Sequence, residues 1–180
     1  MRHCLRSART EDDALQCAIY ASTRTQEMAL TDWSESQREA FVRMQHEAQQ
    51  RHYAQHYPQS VCHLIELPGA AGLQVVGRLW LDQRADALHV LDITLLDEAR
   101  GQGLGSCLLT ELHSEAAARG VPLTISVEIH NPARRLYERL GFAPDGEPQG
   151  LYQRMAWPPS HQPSHQPRHQ PHHASEECLS

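Results

Sequence analysis

The densest chemistry in the chain lies between residues 92 and 106. The strand-like run Asp92-Ile93-Thr94-Leu95-Leu96 leads through Asp97-Glu98-Ala99 into Arg100-Gly101-Gln102-Gly103-Leu104-Gly105-Ser106, which opens a helix. Glycines at alternate positions let successive backbone N–H groups turn toward one point at the positive end of the helix dipole, and Arg100 adds a fixed charge there. A pyrophosphate suits such a cradle, and it is held without a lysine. That matters because the 180 residues contain no Lys, so all 16 basic residues are Arg. P-loop, pyridoxal-phosphate and protein-kinase chemistry each need a Lys and are excluded in their usual forms. A dinucleotide fingerprint is the nearest rival, with Glu128 at the distance of a ribose-binding acid. The spacing disagrees: it is G-x-G-x-G, position 106 is Ser, and three strands and two helices precede a loop that the fingerprint would place in the first βα turn.

The elements that position this loop follow from periodicity. A short strand near His3 to Arg6 precedes Thr10-Glu11-Asp12-Asp13, a helix start followed by Leu15, Ile19 and Tyr20 at helical spacing. A second long helix is expected after Thr31-Asp32-Trp33-Ser34, with Phe41, Met44 and Ala48 as its apolar face, ending near Tyr57-Pro58. The period then changes to strands at Val61–Leu67, Leu73–Leu81 and Ala87–Leu96, an antiparallel meander. Next come a helix over 103–119 with Leu104, Leu108, Leu112 and Ala116 in one row, and a strand from Leu123 to Glu128. Asn131-Pro132 marks a helix start, Gly141 its stop, and Leu151–Trp157 a last strand. The expected fold is a mixed α/β (α+β) arrangement: a central, mostly antiparallel twisted sheet of six to seven strands flanked by about four helices.

Composition sets the remaining bounds. The length suits one domain, and 40% hydrophobic residues supply one core. No apolar run approaches the ~18 residues that span a bilayer, so no membrane partner is expected. The formal charge of -6 argues against sequence-independent nucleic-acid binding. Five Cys without a C-x-x-C pair, and a charged N-terminus without a secretory apolar stretch, point to a reducing cytoplasmic setting. The working domain is expected over residues 1–157. From Pro158 the chain enters a Ser/Arg-His-Gln-Pro repeat, read as an extended, solvated tail over 158–180 whose five His (161, 165, 169, 172, 173) have incidental metal affinity. No metal is expected in the working domain, and an exposed strand edge near the C-terminus is compatible with a homodimer.

Two blocks together resemble the GNAT superfamily of acyl-CoA-dependent N-acetyltransferases. Arg100-Gly101-Gln102-Gly103-Leu104-Gly105 matches the R/Q-x-x-G-x-G/A loop, and Val127 to Phe142, with Asn131 and Leu136-Tyr137-Glu138-Arg139-Leu140-Gly141-Phe142, matches the second block. Asp97 and Ala99 depart from the family's common residues without removing a loop donor. The resemblance implies acetyl-CoA as co-substrate and direct attack by a primary amine in a ternary complex. It implies that Ile93, Thr94 and Leu95 offer backbone groups to the acetyl carbonyl and pantetheine arm, that Arg100 to Ser106 hold the pyrophosphate, and that Asn131 contacts the pantetheine. Tyr137 resembles the tyrosine that protonates the departing thiolate. An amine with a pKa of ~10 also needs a proton acceptor. Glu128 and Asp92 lead, and His130 and His89 follow. Acceptor contacts are expected from the first two helices, Trp33, Tyr53, Tyr57 and the final strand, and no residue there identifies the amine. The alternative is a non-catalytic acyl-CoA-binding or partner-binding module of the same fold.

Overall fold

The computed structural model describes residues 3–70 and 72–158. The expected tail lies, beyond Pro158 itself, outside them. Seven strands form one sheet: β1 (Cys4–Ser7), β2 (Ser60–Gly69), β3 (Gly72–Gln83), β4 (Leu88–Leu95), β5 (Leu123–Glu128), β6 (Ala143–Pro144) and β7 (Tyr152–Trp157). Their order is β1-β2-β3-β4-β5-β7-β6. Neighbours pair antiparallel except β4 and β5, which are parallel and joined by a helical crossover. The helices are α1 (Asp13–Ser22), α2 (Thr25–Ala29), α3 (Glu35–His56), α4 (Leu104–Arg119) and α5 (Arg134–Arg139). The expected mixed sheet is present. The short α2 adds a fifth helix to the four that were expected.

Strand alternation sorts the side chains onto two faces. On one, Leu88, Val90, Leu123, Ile125, Val127 and Met155 join the row Leu104, Leu108, Leu112 and Ala116 of α4 in the main core. Each fully buried leucine of that row is worth about 2 kcal/mol. Gly120 stops α4 in the left-handed conformation at φ 65°, which a Cβ would disfavour.

The other face, beneath α1 and α3, is more polar. The reading of α3 needs correction here: the stripe of Phe41, Met44 and Ala48 is not the buried one. Val42 and His46 are buried, Met44 is 53% exposed and Ala48 is exposed. Gln45 and Gln49 share that inward face because their partners lie below: Tyr20 donates its hydroxyl to Gln45 Oε1 at 3.0 Å, and Arg78 donates to Gln49 Oε1 at 2.8 Å. Ser34 caps α3 in a reciprocal pair with Gln37, whose backbone N–H reaches Ser34 Oγ while Ser34 N–H reaches Gln37 Oε1.

A second correction concerns α5. Asn131 Oδ1 accepts the Ala133 N–H at 2.9 Å, but this caps a turn, and the helix proper begins at Arg134. The stop at Gly141 stands, with φ 87°.

Candidate active site

The parallel strands β4 and β5 pair only over Leu88–Val90 and Leu123–Ile125. Beyond those residues β4 runs on to Leu95 and β5 to Glu128, so the two diverge and leave a wedge in the sheet. Divergence starts at a bulge: Trp80 faces Asp92 while Leu81 faces Val90, which leaves Leu91 as the extra residue. On its other side β4 stays tied to β3, and Gly77 permits this because an added Cβ would collide with the Thr94 carbonyl. Ile93 and Leu95 therefore turn backbone groups to the wedge without a strand partner, whereas Thr94, expected to do the same, turns its carbonyl to Gly77 of β3.

The glycine loop closes the wide end of the wedge. Gly101 (φ 71°) and Gly103 (φ 82°) are left-handed, and nothing lies within 4 Å of a Cβ built on either. Their conformation, not crowding, asks for glycine. Gly103 stands at the N-cap of α4 without a side-chain cap, so the first-turn N–H groups of Leu104, Gly105 and Ser106 have no capping oxygen. A Cβ on Gly105 would make ordinary contacts with Leu136 and Leu95 at 3.6 and 3.9 Å. Arg100 behaves differently from the free charge its position suggests. Its Nε donates to the Leu95 carbonyl at 2.7 Å and its Nη1 pairs with Asp97, so Asp97 offsets part of the positive field at the loop. Gln102 folds back to the Glu98 carbonyl at 2.6 Å.

Tyr137 lies on α5 with 6% exposure, edge-on to Phe142 at 5.9 Å. Burial pushes its hydroxyl up to about 12, with a smaller push from the Asp92 carboxylate. Asp92 is heavily committed. Its Oδ2 takes Arg78 Nε at 2.9 Å and Nη2 at 2.8 Å, and its Oδ1 takes the Thr94 hydroxyl at 3.0 Å. Arg78 is 1% exposed, and it also reaches the Gln16 carbonyl at 3.4 Å and the face of Tyr20 at 5.7 Å. Such a guanidinium, taken out of water and bonded on several sides, makes Asp92 an anchor for β4 and not a free base. Tyr53 donates to the bulge carbonyl of Leu91 at 3.4 Å.

Glu128 ends β5 on the α3 side of the sheet, opposite Tyr152 of β7, and is exposed. Asn131 and His130 follow in the turn, also exposed. On the same sheet face a cavity of about 450 Å³ is lined by Tyr57, His89, Thr124, Ser126, Tyr152 and Arg154, with residues 145–149 at its rim. The sequence reading of Tyr57 and the last strand thus falls on a real cavity. Tyr53 packs on Trp80 at 5.1 Å and Trp33 on Phe41 at 5.0 Å, and neither lines it. Arg78, Thr124 and the rim loop went unnoticed in the sequence. Arg78 had one signal, a lone charge inside an apolar strand.

His89 is the titratable group on the cavity floor. Thr124 Oγ1 lies 2.7 Å from His89 Nδ1 and 3.3 Å from the Leu88 carbonyl; with its proton on that carbonyl it accepts from Nδ1, and Nε2 then keeps a lone pair. Burial, with Arg154 and Arg84 nearby, pulls the imidazole down to about 4. A folded-state pKa below the unfolded ~6.5 means that the unfolded chain binds more protons between the two values. Stability is therefore full above pH ~6.5 and falls as pH drops toward 4, by about 3 kcal/mol from this residue. Burial shifts His46, His63 and His113 the same way. Chemical denaturation at pH 7 and pH 4.5 should show a smaller loss for His89→Gln than for the parent chain, and equal losses would refute the assignment.

The parted parallel pair and the uncapped glycine-rich helix start at its mouth together make the candidate site. The family model described as "Acetyltransferase (GNAT) domain" matches residues 60–144, which span β2 to β6 and include the wedge, the loop and Tyr137. Residues 60–144 of the chain thus match a GNAT acetyltransferase domain. Solved structures share its fold. The PaiA N-acetyltransferase from Thermoplasma acidophilum, in complex with coenzyme A, has 18% identity and a TM-score of 0.61, covering 87% of this chain and 98% of its own. A GNAT-type N-acetyltransferase from Rhodopseudomonas palustris has 22% identity, a TM-score of 0.59 and coverage of 87% and 95%. An acetyltransferase from Thermus thermophilus has 18% identity, a TM-score of 0.59 and coverage of 87% and 96%. No helix among the described residues is long and apolar enough to cross a membrane.

Proposed function

We propose that the protein is an acetyl-CoA-dependent N-acetyltransferase that passes the acetyl group to a primary amine by direct attack in a ternary complex. The observation that carries this reading is the wedge between β4 and β5 with uncapped N–H groups at its mouth. Acetyl-CoA supplies an activated acetyl group as a thioester. The chain's groups fit it: N–H donors of Gly101 to Ser106 and Arg100 for the pyrophosphate, the open edge at Ile93 and Leu95 for the arm and acetyl carbonyl, and the side-chain amide of Asn131 for the pantetheine. Asn131 keeps its amide donors for this role because its cap uses only Oδ1.

The amine enters from the cavity over Thr124 and Ser126. Glu128, exposed and on the cavity's face of the sheet, accepts its proton directly or through water. Amide donors on the β4 edge stabilise the oxyanion as the amine adds, and Tyr137 donates to the sulfur as the thiolate leaves. His89 is a second candidate for proton acceptor, favoured by one specific observation, the Nε2 lone pair that the Thr124 bond leaves on the cavity floor.

A thermal shift tests the ligand class. Acetyl-CoA at ~100 times its Kd should stabilise the fold by about 2.7 kcal/mol. NAD(H) should give no shift, and Gly103→Val, which puts a β-branched residue at φ 82°, should abolish the response to acetyl-CoA. A shift with NAD(H) alone would transfer the loop to the rival class.

A further inference from the structure

Among the described residues, His3, Cys107 and Glu111 bring three possible metal donors within 4.8 Å of one another. They lie on the α4 side of the molecule, outside the wedge and the cavity. Cys107 and Glu111 are four apart on α4 and share one helix face. His3, just before β1, meets them from the chain's beginning. The Glu111 carboxylate stands between the other two donors, with Oε2 at 3.1 Å from His3 Nε2 and Oε1 at 3.6 Å from Cys107 Sγ.

Bonds of about 2.0 Å to nitrogen or oxygen and about 2.3 Å to sulfur, at tetrahedral angles, place ligand atoms roughly 3.3 to 3.6 Å apart. The Glu111–Cys107 contact is at the upper end of that span and the His3–Glu111 contact falls just short of it. The donor set, one thiolate, one imidazole and one carboxylate, suits a borderline-soft divalent ion of the zinc type. The imidazole is pre-positioned: its side chain is 4% exposed, Glu111 is the ring's only polar partner among the described residues, and its Nδ1 has none there. Glu111 is 60% exposed, which leaves room for water as a fourth ligand.

We propose that His3, Cys107 and Glu111 form a three-ligand Zn²⁺ site that ties the segment before β1 to α4. The bound ion displaces the thiol proton to solvent and replaces the His3–Glu111 hydrogen bond with two coordinate bonds. Because α4 begins at the glycine loop, three residues before Cys107, the ion also steadies the helix that carries that loop. The proposal does not depend on the acetyltransferase reading.

Co²⁺ titration of the full chain under a non-thiol reductant tests it. The expected result is a thiolate-to-cobalt charge-transfer band that saturates at one equivalent and disappears when Zn²⁺ is added. Cys107→Ser should abolish the band, and His3→Ala and Glu111→Gln should each weaken binding at least ~10-fold. Replacing the five tail histidines (161, 165, 169, 172, 173) by Ala should leave the band in place. Metal-free melting curves of the three single variants should match the parent, which separates lost binding from lost folding. Absence of the band, its persistence in Cys107→Ser, or its loss with the tail histidines would overturn the site.

Discussion

Replacing Tyr137 by Phe is expected to lower kcat at least ~10-fold while leaving the affinity for acetyl-CoA nearly unchanged. The hydroxyl is one oxygen on a buried ring, and its removal leaves the packing on Phe142 intact. With its pKa pushed up to about 12, Tyr137 is fully protonated at any working pH, so a donor is always present. Complete transfer to a thiolate whose acid titrates at ~8.5 would run uphill by on the order of 5 kcal/mol. The hydroxyl therefore acts chiefly as a hydrogen bond that strengthens as negative charge reaches the sulfur, and the lasting proton is the one the attacking nitrogen gives up, returned by Glu128 or by water. This form of help appears in kcat and not in binding. Steady-state kinetics beside calorimetric binding checks it, and an unchanged kcat would remove Tyr137 from the mechanism.

The second large effect is structural. Arg78→Met should destabilise the fold by about 3 to 5 kcal/mol, because it strips a part-buried Asp92 of its guanidinium and leaves Gln49 and the Gln16 carbonyl without their donor. In a domain of this size that corresponds to a fall in Tm of about 6 to 20 °C. Arg78→Met with Asp92→Asn should recover part of the loss, since the uncompensated carboxylate is then gone. Neither variant should recover full turnover, because the pair holds β4 beside its bulge. A melting point within ~2 °C of the parent for Arg78→Met would contradict this account.

Much of the frame was legible because local chemistry and tertiary need agree along it. The row Leu104, Leu108, Leu112 and Ala116 reads as a helix face and is one. Gly141 reads as a stop and has the left-handed φ that a stop requires. The strand-to-helix loop reads as a glycine turn, and Gly101 and Gly103 take the left-handed φ that a side chain would strain. The failures share a cause. Apolar periodicity assumes that a helix buries apolar residues, whereas α3 buries Val42 and His46 and turns Gln45 and Gln49 inward to serve Tyr20 and Arg78. The bulge at Leu91 and the two-residue β6 are decided by partner strands, which a linear reading does not see. The neutralisation of Arg100 by Asp97 and the meeting of His3 with α4 likewise depend on folded geometry alone.

The measurement that bears most directly on the central claim is CoA release from acetyl-CoA, with the N-acetyl product quantified, across a panel of amino acids, polyamines, aminoglycosides and peptides. Acetyl-CoA binding is followed in the same preparation. The account predicts that at least one primary amine drives stoichiometric release of CoA and gain of an N-acetyl group, and that Glu128→Gln slows this step. Tight acetyl-CoA binding with no turnover on any amine would contradict it and leave a non-catalytic acyl-CoA-binding module in its place.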